Sequence, residues 1–303
     1  MVDSYNDKSI EQLKGAERIR VRPAAVLGSD GIDGAKHGVI EILGNALDEA
    51  SSGFGSELHL RAHDDGSISI RDFGRGIPLG WNEPAQAWNY FLIFEEMYAG
   101  GKYSDSQAVL KGIRDWSTFN VSDHSYLFSV GLNGLGAMAT QCSSEWFTVT
   151  SYRDGVASRM DYALGEHTLD ELVNENSDEA NGTFIHWKPD ATVFTDVDID
   201  EHWLHQLVRY VGYTAGIKVI FTDRMGEEHV YEPSDIPTLF STHFKVDEGV
   251  QNVSLTHTTD SSGDICVALS DLVVGPGEGE SLFFHILIQI NGGVHLEGMN
   301  TSI

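Results

Sequence analysis

The chain has 303 residues, and its 46 acidic against 19 basic side chains give a formal net charge of −27. That surplus excludes a general phosphate-binding surface, which needs Lys and Arg, so any contact with nucleic acid must be local or supplied by another polypeptide. Cys142 and Cys266 are too few for a disulfide framework or a zinc site, and no apolar run approaches the roughly 18 residues of a membrane span. A hydrophobic share of 41% suffices for a sizeable core, and the polar start MVDSYNDKSIEQLKG lacks a signal-peptide core. A cytoplasmic protein with no membrane partner is expected.

Residues 1–9 read as a polar arm, and Ser9 caps a short helix expected over residues 9–18. Apolar residues at helical spacing predict a helix over 37–52. Residues 57–62 and 67–72 alternate like paired strands across the turn His63-Asp64-Asp65-Gly66. Residues 85–99 read as a helix, 100–130 carry no clear pattern, and a further helix starts over 136–143. Residues 146–153 and 158–163 form a hairpin around Asp154-Gly155. Residues 174–181 are acidic and loop-like, 182–189 alternate as a strand, and 200–214 are helical. Residues 217–223 and 228–232 make another hairpin. The segment 233–237, with a proline at each end, marks a boundary between 1–232 and 233–303. Beyond it, 253–257, 265–274 and 281–290 read as strands. Helices recurring between runs of strands make the class α+β.

The chemistry concentrates in a few places. In EILGNALDEA (residues 41–50), Glu41, Asn45, Asp48 and Glu49 fall on one side of the helix. Like charges at such spacing repel, so the cluster suits a site that holds a divalent cation and activates a water. In SISIRD (residues 67–72), Ile68 and Ile70 define an inner face that Asp72 shares. A buried carboxylate needs a donor, and a ligand amino group is one candidate; the alternative is an aspartate opening the turn into Gly74. GRGIP (residues 74–78) permits close backbone approach to a flat ligand, with Arg75 and Pro78 as walls; Arg75 is also placed to pair with Glu49. AGGKY (residues 99–103) and GLNGLG (residues 131–136) resemble phosphate cradles, the second running directly into a helix. Neither has the spacing of a Walker A loop or of the dinucleotide fingerprint.

In that order, ending with Gly182-Thr183 in a strand, these motifs resemble the GHKL ATPases. In detail they resemble the ATPase region of type IIA DNA topoisomerases, the family of DNA gyrase B and topoisomerase IV B. The likeness begins at Tyr5 and SIEQLKG, passes through RVRP (residues 20–23), and reaches GTFIHWKPD (residues 182–190). It resumes at INGGVHLEG (residues 290–298), which looks like the family's transducer segment. The resemblance implies a Bergerat two-layer sandwich, a mixed sheet covered by helices, followed by a partial ribosomal-protein-like α+β transducer.

It also implies roles. Glu41 looks like the general base, with His37 beside it, and Asn45 like the magnesium ligand. Asp72 looks like the adenine-binding carboxylate and Thr183 like a second partner. Glu49, Arg75, Gly76, Ile77 and Pro78 would line the pocket. Gly100, Gly101 and Lys102, with Gly131, Leu132, Asn133, Gly134, Leu135 and Gly136, would hold the phosphates of ATP. Tyr126 matches the lid tyrosine, and Arg153 the arginine at the mouth where aminocoumarins bind the family. Tyr5 sits where the family's arm enters the site of the partner protomer.

Three departures stand out. The lid between Lys102 and Tyr126 is longer than usual. Phe73 replaces an acidic residue, which removes a charge near the adenine. The chain ends before the family's later transducer lysine and carries no cleavage domain, as a fragment or a stand-alone ATPase would. The implied function is an ATP- and Mg2+-operated clamp that dimerises through its arm, captures a DNA duplex and works with a gyrase A-like cleavage protein. The alternatives are a mismatch-repair or chaperone-like GHKL clamp, and a nucleotide-binding module without turnover.

Overall fold

The computed structural model describes residues 13, 15–97, 135–214 and 216–233, and the strands at 253–260, 263–270, 289–290 and 293–294. Two short helices, α1 (Glu17–Val21) and α2 (Ala24–Leu27), lead into the 20-residue α3 (Ile32–Ser51). Helix α3 starts five residues earlier than the apolar pattern suggests. Gly31 is held extended at its start by a bond from its amide to Ser29 Oγ (3.0 Å), and Asp33 in the first turn suits the helix dipole. Of the first expected helix, residues 9–12 and 14 lie outside the described residues, and the described helix begins at Glu17.

Strands β1 (Glu57–Ala62) and β2 (Ile68–Asp72) follow as read. The helix expected over 85–99 is shorter. A small hairpin of β3 (Trp81–Asn82) and β4 (Ala87–Trp88) precedes α4 (Asn89–Phe94). The cause is Asn82, whose Oδ1 accepts from the Ala85 amide at 3.1 Å and whose Nδ2 donates to Asn89 Oδ1 at 2.9 Å, fixing a turn ahead of the helix. Helix α5 (Gly136–Cys142) leads into β5 (Ser144–Arg153), which pairs with β6 (Val156–Ala163) around Asp154-Gly155. After β7 (Glu166–His167), β8 (Val173–Asn176) occupies part of the stretch expected as loop and pairs with β6. All four of its residues are exposed, so no alternation reveals it. Then come β9 (Gly182–Pro189), α6 (Glu201–Thr214), β10 (Lys218–Thr222) and β11 (Glu228–Tyr231). The strands β12 (Val253–Asp260) and β13 (Gly263–Ser270) form a hairpin, as do β14 (Gln289–Ile290) and β15 (Gly293–Val294). The rest of the expected strand over 281–290 lies outside the described residues.

The main sheet has nine strands in the order β11-β10-β1-β2-β9-β5-β6-β7, with β8 added beside β6. The β1–β10 pair is parallel and the other pairs of this sheet are antiparallel, so the sheet is mixed. Leu58, Leu60, Ile68, Ile70, Phe147, Val149, Met160, Ile185, Trp187, Val219 and Phe221 are buried together with Val39, Leu43 and Leu47 of α3, Met138 of α5 and Val208 of α6. Full burial of each such side chain contributes about 1.5–3 kcal/mol. Across β2, β9 and β5, Ile70 aligns with Ile185 and Ile185 with Val149. Two residues along, that apolar row gives way to Asp72, Thr183 and Ser151, all buried. The covered face therefore turns polar at one end, beneath α3. Among the described residues, no helix is long and apolar enough to cross a membrane.

Candidate functional site

Helix α3 supplies one wall. His37, Glu41, Asn45 and Glu49 recur every four residues and stay partly accessible, while Val39, Ile42, Leu43, Ala46 and Leu47 are buried. Asp48 is 3% exposed and belongs to the packed side. His37 Nε2 meets Glu41 Oε1 at 3.0 Å. The hydrogen bond to Glu41 raises the His37 pKa above its ordinary 6.5, against the opposing effect of burial. Such a group adds stability that is complete below its unfolded pKa and lost as pH rises through the folded one. In Glu41→Gln the His37 titration, followed by NMR, is expected to move down; an unmoved titration would show that Glu41 does not set it.

Helix α5 closes on this stripe. A Cβ placed on Gly136 would fall onto Glu41 Oε2, 2.5 Å from Cδ and 2.8 Å from Cβ. Thr140 Oγ1 donates to the Gly136 carbonyl at 2.9 Å, and a Cβ on Gly38 would touch Thr140 at 3.3 Å. The two helices thus approach through glycines, and the Glu41 carboxylate lies over the first turn of α5. Gly136→Ala is expected to cost about 1–3 kcal/mol of overpacking and to push the carboxylate off His37. A melting temperature equal to that of the parent would count against this contact.

Strand β2 supplies the floor. Asp72 is 9% exposed, and its Oδ1 accepts from the amides of Gly74 (2.9 Å) and Thr183 (3.1 Å). Burial raises its pKa above the usual carboxylate value, against the lowering by those two amides. Its other oxygen takes no hydrogen bond among the described residues. Phe73 points the other way: its ring meets His59 at 5.0 Å and lies under the Arg71 guanidinium at 4.8 Å. The missing acidic charge therefore belongs to the opposite side of the sheet from Asp72, not to the Asp72 floor.

The GRGIP turn is held from three sides. Arg75 makes a two-pronged ion pair with Glu49, Nη2 to Oε1 at 2.8 Å and Nε to Oε2 at 3.0 Å, and its guanidinium lies 4.0 Å over the Phe54 ring. The Ile77 amide donates to Thr183 Oγ1 at 3.2 Å. Arg153 Nη1 donates to the Gly76 carbonyl at 2.6 Å and to that of Arg75 at 3.3 Å. Gly76 has φ +77°, and a Cβ there would meet Tyr152 O at 2.7 Å and Ser151 Oγ at 2.9 Å. Pro78 is exposed beside it.

The structure thus brings together His37, Glu41, Asn45, Glu49, Asp72, Arg75, Gly76, Ile77, Pro78, Arg153, Thr183, Leu135 and Gly136 around one wall and one floor. Tyr5, Gly100, Gly101, Lys102, Tyr126, Gly131, Leu132, Asn133 and Gly134 lie outside the described residues. Sequence reasoning missed two participants. Ser151 sits under Gly76 with a buried hydroxyl that has no partner among the described residues, and the period-two pattern of VTSYR already places it on the face of Val149. Phe54 caps Arg75 from the SSGFGS loop, where nothing in the local pattern marks it. RVRP acts structurally: Arg20 donates to Asp190 Oδ2 at 2.5 Å and to the carbonyls of Cys142 and Ser144, tying α1 to the start of β5.

No family model matches the chain. Its sequence is 32% identical over 229 residues to the DNA gyrase B protein of Thermotoga maritima, covering 75% of this chain and 33% of that one. It is 29% identical over 319 residues to the DNA topoisomerase 4 B protein of Enterococcus faecalis, covering 99% of this chain and 42% of that one. The crystal structure of the 43K ATPase domain of Thermus thermophilus gyrase B in complex with an aminocoumarin matches with a TM-score of 0.63 and 26% identity. That match covers 84% of this chain and 62% of that one. The chain thus spans well under half the length of the curated relatives it matches.

Proposed function

The chain belongs to the family of DNA gyrase B and topoisomerase IV B, as its ATPase region, and from that premise we propose that it binds ATP between α3 and the polar end of the sheet and hydrolyses it. The observation that carries the reading is Asp72: a buried carboxylate with one oxygen saturated by two amides and the other turned to no protein donor among the described residues. The adenine amino group supplies the missing donor, and Thr183, tied to both Asp72 and Ile77, fixes the floor on which the base lies. The Glu49–Arg75–Phe54 stack holds the turn that forms the pocket's side.

Glu41 is the general base. His37 orients its carboxylate, which takes the proton of the attacking water as the bond to the terminal phosphate breaks. Asn45, one turn along α3 from Glu41, offers a hard amide oxygen of the kind that would hold Mg2+. When bound, Mg2+ neutralises charge that develops on the triphosphate. Gly100–Lys102 and Gly131–Gly136 are assigned to the phosphates, and Tyr126 to the lid. A nucleotide-binding module without turnover has no use for the His37–Glu41 pair, and that pair favours the enzyme.

At the level of the assembly, ATP draws two chains together through the arm carrying Tyr5, which reaches the partner's site. The clamp closes on a DNA duplex, in the cytoplasm, with a gyrase A-like protein performing cleavage. We assign residues 1–232 to the ATPase domain and 233–303 to part of a transducer. Arg153, clamped to the GRGIP carbonyls, is the aminocoumarin contact by analogy with the ligand named for the Thermus thermophilus domain. The test is the solution mass by size exclusion with light scattering, with and without a non-hydrolysable ATP analogue. A shift from monomer to dimer is the expected result; a constant monomer would sink the clamp.

A further inference from the structure

We propose that the tip of the β10–β11 hairpin is a metal site, binding a first-row divalent transition ion of the zinc class through Asp223, Glu227 and His229. The hairpin register pairs Thr222 with Glu228 and Phe221 with His229. The turn beyond is closed by the Asp223 amide on the Glu227 carbonyl and the Gly226 amide on the Asp223 carbonyl, both at 3.0 Å. This places Asp223 opposite Glu227 and puts His229 two residues along the same face. One donor atom from each of the three residues lies within 4.8 Å of the others.

Several observations point to a cation rather than to a chance grouping. Two carboxylates directly opposite each other across a hairpin destabilise it, more so in a chain of net charge −27. Arg224, in the turn itself, does not neutralise them. Its Nη2 donates to the Ile199 carbonyl (2.9 Å) and to Asp198 (3.4 Å), and its amide donates to Glu201 Oε2 (2.7 Å). His229 Nε2 approaches Asp223 Oδ2 only to 3.4 Å, a long contact that an ion can replace. The imidazole is already oriented: the His205 ring of α6 lies 4.5 Å from it, the Phe221 ring stacks at 6.0 Å, and His205 itself is anchored on the Tyr231 hydroxyl. Asp223 Oδ1 is pinned by the Glu227 amide at 2.8 Å, which leaves Oδ2 facing the imidazole.

The donor set chooses the ion. One imidazole nitrogen with two carboxylates suits zinc, cobalt or nickel, at about 2.0–2.2 Å from each donor, and leaves a coordination position for water. Mg2+ prefers an all-oxygen octahedron and retains its waters, so it does not compete well here. Donors of one ion at those lengths lie no more than about 4.4 Å apart, and rotation of the exposed Glu227 supplies the contraction. The site is independent of the nucleotide pocket. Leu58 pairs with both Asp72 and Val219, so Asp72 is level with the start of β10, whereas Asp223 follows its end.

The experiment uses the whole chain, free of nucleotide and Mg2+, titrated with Zn2+ by calorimetry and with Co2+ by visible absorption. The expected result is about one ion per chain. His229→Gln and, separately, Glu227→Gln should each weaken binding by at least about tenfold, the loss that removal of even an outer-shell partner produces. ATP turnover with Mg2+ should stay at the parent rate in both. Glu227 is exposed at the turn, so its variant reports on binding even where His229→Gln fails to fold. No binding in the parent, parent-like binding in Glu227→Gln, or binding that vanishes in His37→Ala but persists in the hairpin variants would each overturn the proposal.

Discussion

Glu41→Ala is expected to lower ATP turnover by about 10²–10⁴-fold, the range that one positioned base supplies, while leaving nucleotide affinity unchanged. The two effects separate because of where Glu41 sits. Its carboxylate faces His37 and the first turn of α5, whereas the groups assigned to the base, Asp72 and Thr183, stand on the sheet. Removing the carboxylate leaves the α3–α5 contact through Gly38 and Thr140 intact. Steady-state phosphate release and calorimetry with a non-hydrolysable analogue check the two halves. Turnover at the parent rate would remove Glu41 from the mechanism, and lost affinity with lost turnover would make it a binding residue.

Asp72→Asn has the complementary signature. A charge-assisted hydrogen bond is worth roughly 1.5–3 kcal/mol, so affinity for the ATP analogue should fall by about 10- to 100-fold. The nucleotide-free fold should gain. Asparagine Oδ1 still accepts from the Gly74 and Thr183 amides, while the buried charge is gone. Burial raises the Asp72 pKa, so this carboxyl contributes stability that is complete below its unfolded pKa and lost as pH rises through the folded one. Once ionised, the buried Asp72 costs the fold stability. Thermal melts should therefore place apo Asp72→Asn above the parent and show a smaller rise on adding the analogue. A variant that melts lower and binds equally well would contradict both parts. The position is one where function is kept at the expense of the fold.

Much of the pocket was legible because its residues obey short-range periods. A strand period of two put Asp72 on the face of Ile68 and Ile70, and the burial of all three follows it. A helix period of 3.6 put Glu41, Asn45 and Glu49 on one stripe, and the Arg75–Glu49 pair forms as the charges suggested. The misreadings are where long-range or side-chain effects overrule period. Asp48 shares the stripe's charge but is buried. The Asn82 turn cut short a helix that residues 85–99 would support by composition. Strand β8 exists only as an edge partner of β6, with four exposed residues that show no alternation of their own. Ser151 was readable in principle, since β5 alternates cleanly, yet a serine gives no hint that its hydroxyl ends without a partner among the described residues.

The parallel pairing of β1 with β10 sets a timetable for synthesis. Glu57 aligns with Lys218, so β1 keeps an open edge until a strand about 160 residues later has left the ribosome. At about 5–20 residues per second that interval is on the order of ten seconds. An unpaired strand edge is a template for joining another chain, and slow, non-local closure lengthens the exposure. Nascent chains of this protein halted before residue 218 should therefore depend on chaperone protection, and yield on overexpression should respond to the rate at which β10 arrives.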